Sequence, residues 1–271
     1  MKSSRDLIAE YSLTPNKALG QNFLTDVSAI GRIVGAAAEP GLPLLEIGPG
    51  LGALTFPLAE TGLKLAAVEL DSVLCGILER ELPENARVIN RDFLKADLAD
   101  IHAFLGGGGV TAVGNLPYYI TSNIVTRLIC CGLPISRMVL MMQKEAAERF
   151  TAGPKDKNYV PLTVLSRLQF EITELMELSP ASYYPQPEVC SAVLVFDRKQ
   201  IDLPAGLPAV LKAAFAMRRK TLSNNLCALG LQKAQAAELI RGCGLDPAAR
   251  AETLSPGEFA NLAEEYEKRR Y

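Results

Sequence analysis

The chain has one histidine, no tryptophan and no apolar run of the length that spans a bilayer, about 18 to 20 residues. With His102 as the only imidazole, a zinc hydrolase or a nuclease with imidazole-bound metal is excluded. His102 stands just before the glycine run Gly106 to Gly109 and takes no role. Cys75, Cys130, Cys131, Cys190, Cys227 and Cys243 are scattered without a C-x-x-C spacing, so they read as free thiols and no metal is expected. Met1 to Glu10 is polar, unlike the apolar segment of a secretory leader. The expectation is a cytoplasmic monomer that enters no membrane.

Basic charge is scarce too. A net charge of -2 and a pI near 5.7 speak against a nucleic-acid binder, since phosphate contacts usually leave a basic footprint. The distribution changes this. From Pro204 onward ten Lys and Arg face seven Asp and Glu, a net of +3, which leaves -5 for the first 203 residues. A basic C-terminal part could hold RNA while an acidic part holds a cationic cofactor.

What the sequence does contain is alternation. Apolar segments at Leu44 to Ile47, Leu65 to Glu69, Arg87 to Asn90, Val110 to Gly114, Arg137 to Met142, Glu171 to Leu178 and Ser191 to Phe196 predict seven strands of one sheet. Helical spacing fills stretches such as Leu51 to Glu60, Ser72 to Arg80 and Ser122 to Cys131. The last two strands follow without a long helix between them, which predicts an antiparallel edge. After Arg198 the pattern stops, and a linker with proline and glycine (Asp202 to Pro208) leads into four helical segments between Leu207 and Lys268. The expected fold is α/β over residues 1–200, followed by a small all-helical domain over residues 201–271. Asp197 and Arg198 read as solvated surface.

Four strings carry chemistry. Leu44 to Ala53 (LLEIGPGLGA) is a strand, a glycine-rich turn and a helix start, where backbone can approach a nucleotide-like ligand closely. Alone it also satisfies the dinucleotide pattern G-x-G-x-x-A, with Glu69 placed 21 residues beyond Gly48 to bind a ribose. Glu69 ends the second strand and can accept from sugar hydroxyls, and Asp71 reads as the next helix's cap. Asp92, before Phe93, is either an acceptor for an adenine amino group or an ordinary cap. Asn115-Leu116-Pro117-Tyr118-Tyr119 follows the fourth strand. An exocyclic adenine amine is a poor nucleophile because its lone pair is delocalised into the ring. The Asn115 side-chain carbonyl and a backbone carbonyl near Leu116 can accept its protons, Pro117 can fix the turn, and Tyr118 can supply a stacking face. No general base is needed. As a bare string it could equally be a turn; in order with the glycine loop, Glu69 and Asp92 it is a site.

Together these strings resemble the ribosomal RNA adenine dimethyltransferase family, in particular its 16S dimethyladenosine transferase branch. Further matching pieces are Gly20 to Leu24 (GQNFL), Gln143 to Glu145, Tyr183 to Ser191 (YYPQPEVCS), Arg218 to Thr221 and Arg250 to Glu252, so the likeness runs from about Lys17 to Ala263. The resemblance implies a Rossmann-like methyltransferase sheet with S-adenosylmethionine as cofactor, contacted by Asn22, Leu24, Gly48, Glu69, Asp92 and Asn115. It also implies two neighbouring adenosines near the 3′ end of 16S RNA, in the small subunit or its precursor, as targets. Asn115, Leu116, Pro117 and Tyr118, with Tyr183 closing on the other side of the base, are the expected catalytic set. Arg218, Arg219 and Lys220 are the expected RNA contacts. The chain departs from the family pattern at Leu19, where an aromatic is usual, and at Tyr183, where Phe is usual. Three rivals compete: a 23S enzyme of the macrolide-resistance type, which typically has Ile where Leu116 stands, a dinucleotide oxidoreductase, which leaves Asn115 to Tyr118 idle, and a non-catalytic assembly factor.

Overall fold

The computed structural model describes residues 10–11, 15 and 20–269; Leu19 lies outside them. A two-residue strand β1 (Phe23–Leu24) precedes helix α1 (Val27–Ala38). The Asp26 side chain caps α1 by accepting from Ala29 N at 3.1 Å, and Ala29, Ile33 and Ala37, four residues apart, bury one stripe.

The main sheet grows from runs that are apolar on both faces, as covered parallel strands must be. β2 (Leu44–Ile47), β3 (Leu65–Glu69), β4 (Ala86–Asn90), β5 (Val110–Asn115) and β6 (Ile135–Gln143) all lie parallel. Between them run α2 (Thr55–Glu60), α3 (Ser72–Glu81), α4 (Leu98–Leu105) and α5 (Thr121–Cys130). After β6 come α6 (Lys144–Thr151), α7 (Pro161–Gln169), β7 (Phe170–Leu178), β8 (Tyr183–Tyr184) and β9 (Ser191–Arg198). The sheet order is β4-β3-β2-β5-β6-β9-β7, with β9 antiparallel to β6. The chain builds outward from β2 through β3 to β4, then returns to lay β5 on the other side of β2. That reversal opens a crevice at the carboxyl ends of β2 and β5, where open α/β sheets bind ligands. β1 and β8 form a separate antiparallel pair, Phe23 opposite Tyr184 and Leu24 opposite Tyr183.

Asp197 is not merely solvated. Its carboxylate takes Arg137 Nε at 2.6 Å across the β6–β9 ladder, and the same guanidinium donates to Ala36 O at 3.0 Å and pairs with Glu39. One cation thus ties the sheet's antiparallel strand to the end of α1.

The chain divides into two compact units, and the second is larger than the sequence suggests: residues 148–171 join residues 199–271 in it. The boundary expected at residue 200 therefore misses the first segment. The reason is burial. Tyr159, Val164 and Leu168 share one core with residues of α8 (Leu207–Ala214), α9 (Leu222–Leu226), α10 (Lys233–Gly242) and α11 (Pro256–Arg269), and the Tyr159 hydroxyl donates to Leu254 O at 2.8 Å. α11 starts where Ser255 and Glu258 form a reciprocal cap around Pro256.

Candidate active site

Three glycines with left-handed backbone, Gly48 (φ 68°), Gly50 (φ 58°) and Gly52 (φ 80°), carry the chain from β2 towards α2. At such φ values a side chain is strained, so glycine lets this loop turn back over the sheet's edge. Glu69, ending β3, holds the loop from the neighbouring strand: Oε2 accepts from Gly50 N and Oε1 from Asp71 N, both at 2.9 Å. Burial nevertheless pushes the Glu69 carboxyl upward in pKa, the backbone bonds offsetting only part of that cost. Asp71 caps α3 as expected, accepting from Val73 N at 2.9 Å, while its other oxygen takes Gln21 Nε2 at 3.0 Å. Asp92 also caps, Oδ1 accepting from Leu94 N at 2.9 Å, and still lines the cleft, so its two readings are compatible.

Glu46 lies within the matching string Leu44 to Ala53, but sequence reasoning assigned it no role of its own. It sits mid-strand in β2, 1% exposed, on the floor of the same cleft, and its Oε2 has no hydrogen-bond partner among the described residues. Burial is the first cause, and nearby Glu69 a lesser one, of a pKa pushed up to about 8, with Thr55 acting the other way. A buried carboxyl without full satisfaction beside a second carboxyl suits a cationic ligand.

Across the cleft, Gly114 lets β5 approach β2: a Cβ there would meet Ile47 O at 2.5 Å. The next residue, Asn115, donates from Nδ2 to Asn22 O at 2.8 Å. Only the NH₂ end can face a carbonyl, so this bond fixes the amide flip and frees Oδ1 as an acceptor. Asn22, Leu24, Gly48, Glu69, Asp92, Asn115, Leu116, Pro117 and Tyr118 all line one cleft, together with Tyr119, which is 62% exposed. Tyr118 is anchored by its hydroxyl to Ser191 Oγ at 2.9 Å, a partner the sequence did not reveal. Tyr183 is placed otherwise. It is 2% exposed, packed in the core with Leu24 and Val193, outside the cleft lining, and its buried hydroxyl has no hydrogen-bond partner among the described residues. In this conformation its ring has no free face for a base, because pairing of β8 with β1 turns it inward.

An amide oxygen with no donor among the described residues, beside an aromatic ring and a glycine-lined cleft, is the combination an adenine amine needs. A family model for ribosomal RNA adenine dimethylase matches residues 13–268. The chain belongs to that family.

Among the family's members, the ribosomal RNA small subunit methyltransferase A of Lactobacillus delbrueckii subsp. bulgaricus is 40% identical over 95% of this chain and 93% of its own. Its counterpart in Geobacter metallireducens is 41% identical over 91% and 94%. Of solved structures, the 23S rRNA methyltransferase ErmE matches with a TM-score of 0.67 at 26% identity, covering 91% of this chain and all of that one. A dimethyladenosine transferase from Plasmodium falciparum has the same fold, with a TM-score of 0.75 at 24% identity over 91% and 98%. Membership makes the chain an RNA adenine methyltransferase and removes the oxidoreductase reading. The expected RNA contacts Arg218, Arg219 and Lys220 belong to the second unit, exposed at the turn before α9. His102 has only a local task, its Nε2 meeting Gly108 O at 2.9 Å to close the glycine turn. Among the described residues no group of three potential metal ligands occurs, and no helix is long and apolar enough to cross a membrane.

Proposed function

We propose that the protein transfers methyl groups to N6 of two adjacent adenosines near the 3′ end of 16S ribosomal RNA, acting in the cytoplasm as a monomer on the small subunit or its precursor. The observation that carries the chemistry is the orientation of Asn115: its amide NH₂ is committed to Asn22 O, so its carbonyl is left to accept from the target amine. The curated relatives at about 40% identity, named for the small subunit, favour 16S over 23S RNA. Leu116, in place of the isoleucine typical of 23S enzymes, agrees.

The residues present fit S-adenosylmethionine. The buried Oε2 of Glu46 on the cleft floor, unpartnered among the described residues, is a polar position left for a ligand, and the left-handed Gly48 in the same lining keeps that stretch of the loop free of side chain. Bound there, the cofactor supplies an electrophilic methyl on a sulfonium. Glu69 would hold the ribose, Asp92 the adenine amino group, and Asn22, Leu24 and Gly48 the remaining walls. Asn115 Oδ1 and the Leu116 carbonyl would accept hydrogen bonds from the N6–H groups and aim the nitrogen lone pair at the methyl, with the base stacked on Tyr118; as N6 takes the methyl from sulfur, one N6 proton is released to water. One N–H remains after the first transfer, so the same acceptor serves a second. The dimethylated product has no proton left to donate, which makes two methyls the end point.

Mass spectrometry of 16S RNA from cells with and without the protein tests this reading. Loss of dimethyladenosine is expected; its persistence, or its loss from 23S RNA instead, refutes it.

A further inference from the structure

We propose that the loop of residues 153–157 is a second RNA-backbone contact, joined with Arg218, Arg219 and Lys220 into one basic surface of the helical unit. The proposal rests on the reading of this chain as an RNA methyltransferase. Two segments far apart in sequence are tied together here: Arg218 Nη2 donates to Lys157 O at 3.2 Å and lies 3.4 Å from Glu252 Oε2, while Glu252 O accepts from Lys155 N at 2.7 Å. The result gathers five exposed cations, Lys155, Lys157, Arg218, Arg219 and Lys220. Two acids, Asp156 and Glu252, lie within it and leave a net charge of +3. Asp156 accepts from Asn158 N at 2.7 Å inside its own loop, and Glu252 faces Arg218. In a chain of net charge -2, such a concentration is a local feature and not a consequence of overall composition. A phosphate backbone, which offers negative charge in rows, is the partner it complements.

Lys155 adds a second line of argument. Among the described residues it is the one non-glycine residue with positive φ, at 73°. A side chain with a Cβ is disfavoured there, and glycine would relieve the strain. Lysine therefore does nothing for the loop's own folding, and its exposed ammonium has no carboxylate partner among the described residues. Strain retained at an exposed position points to a task for the side chain.

The test measures binding of small ribosomal subunits lacking the modification over a range of KCl concentrations, alongside methyl transfer to the 16S RNA within them. Lys155→Gln with Lys157→Gln should flatten the log–log salt slope by about 1.4 to 1.8, the worth of two phosphate contacts. Cofactor affinity should be unchanged. Lys212→Gln with Lys233→Gln, exposed lysines elsewhere in the same unit, controls for net charge and should move the slope far less. Lys155→Gly should melt no lower than the native chain while losing about half of that slope change, a divergence that a purely structural lysine would not give. A slope matching the control pair, or a Lys155→Gly protein that melts lower, overturns the inference. If the native protein transfers methyl groups to this RNA and the slope is unmoved, the loop alone is misassigned. If it neither binds the subunits nor methylates their RNA, the functional reading falls and the loop's role with it.

Discussion

Single atoms decide most of the chemistry here. Because Asn115 is held through its NH₂ group, Asn115→Ala removes both the acceptor and the anchor to Asn22, and should slow single-turnover methyl transfer by about 10² to 10³. Tyr118→Phe, which keeps the ring but loses the Ser191 bond, should lose far less than Tyr118→Ala. Glu69→Ala should weaken cofactor binding by about 1.5 to 3 kcal/mol in calorimetry. Part of that loss would come through the Gly50 amide, which the carboxylate now holds. Glu46 sets a pH dependence. Its carboxyl titrates near pH 4.5 when unfolded and near 8 in the cleft, so between those values the unfolded state releases a proton that the folded state keeps. Stability falls as pH rises through this window, by up to ~1.4 kcal/mol per unit. Thermal melts from pH 5 to 8 should show a flatter dependence for Glu46→Gln than for the native chain. Residue by residue, the glycine loop, Glu69, Asp92 and the Asn115 turn were readable as strings because each stands at a fixed strand end, and the fold brings them to one cleft. The role of Glu46 was not, since a lone acid inside an apolar strand carries no spacing signal, and Ser191 was matched only as part of a string.

The elements were legible in proportion to their burial. The seven strands of the sheet run as apolar stretches bounded by turn residues, and they appear within about two residues of where the pattern puts them. β1 and β8, two residues each, are too short for any periodicity, so the inward turn of Tyr183 escaped notice. The segment 148–171 sits between two strands and reads like an ordinary crossover; its other allegiance shows only in which side chains its apolar face meets. Between β2 and β5 the sheet depends on a missing Cβ. Gly114→Ala would press a methyl against Ile47 O, a backbone atom that moves only with its strand. That variant should be destabilised by several kcal/mol, in the range of about 1 to 3 or more for overpacking, and should lose activity by displacing Asn115. Chemical denaturation and a methyl-transfer assay check the two effects separately.

At the scale of the whole molecule, charge follows the division into units. Residues 148–171 with 199–271 carry 15 basic and 11 acidic residues, a net of +4, leaving -6 for the remainder, a sharper split than the sequence alone suggests at Pro204. The low overall pI conceals an acidic unit with the glycine-loop cleft and a basic unit with the candidate RNA contacts. Neutralising Arg218, Arg219 and Lys220 should weaken RNA binding and flatten its salt dependence by about two to three units of log slope, leaving cofactor affinity intact. An unchanged slope would return them to a solvated turn. The two-segment construction of the helical unit also governs how the protein can be recombined. A graft that swaps everything after residue 198 between relatives separates Tyr159, Val164 and Leu168 from the partners they evolved against, so a hybrid that inherits a mismatched 148–171 segment should express poorly, whereas one exchanging both segments together keeps its interior matched.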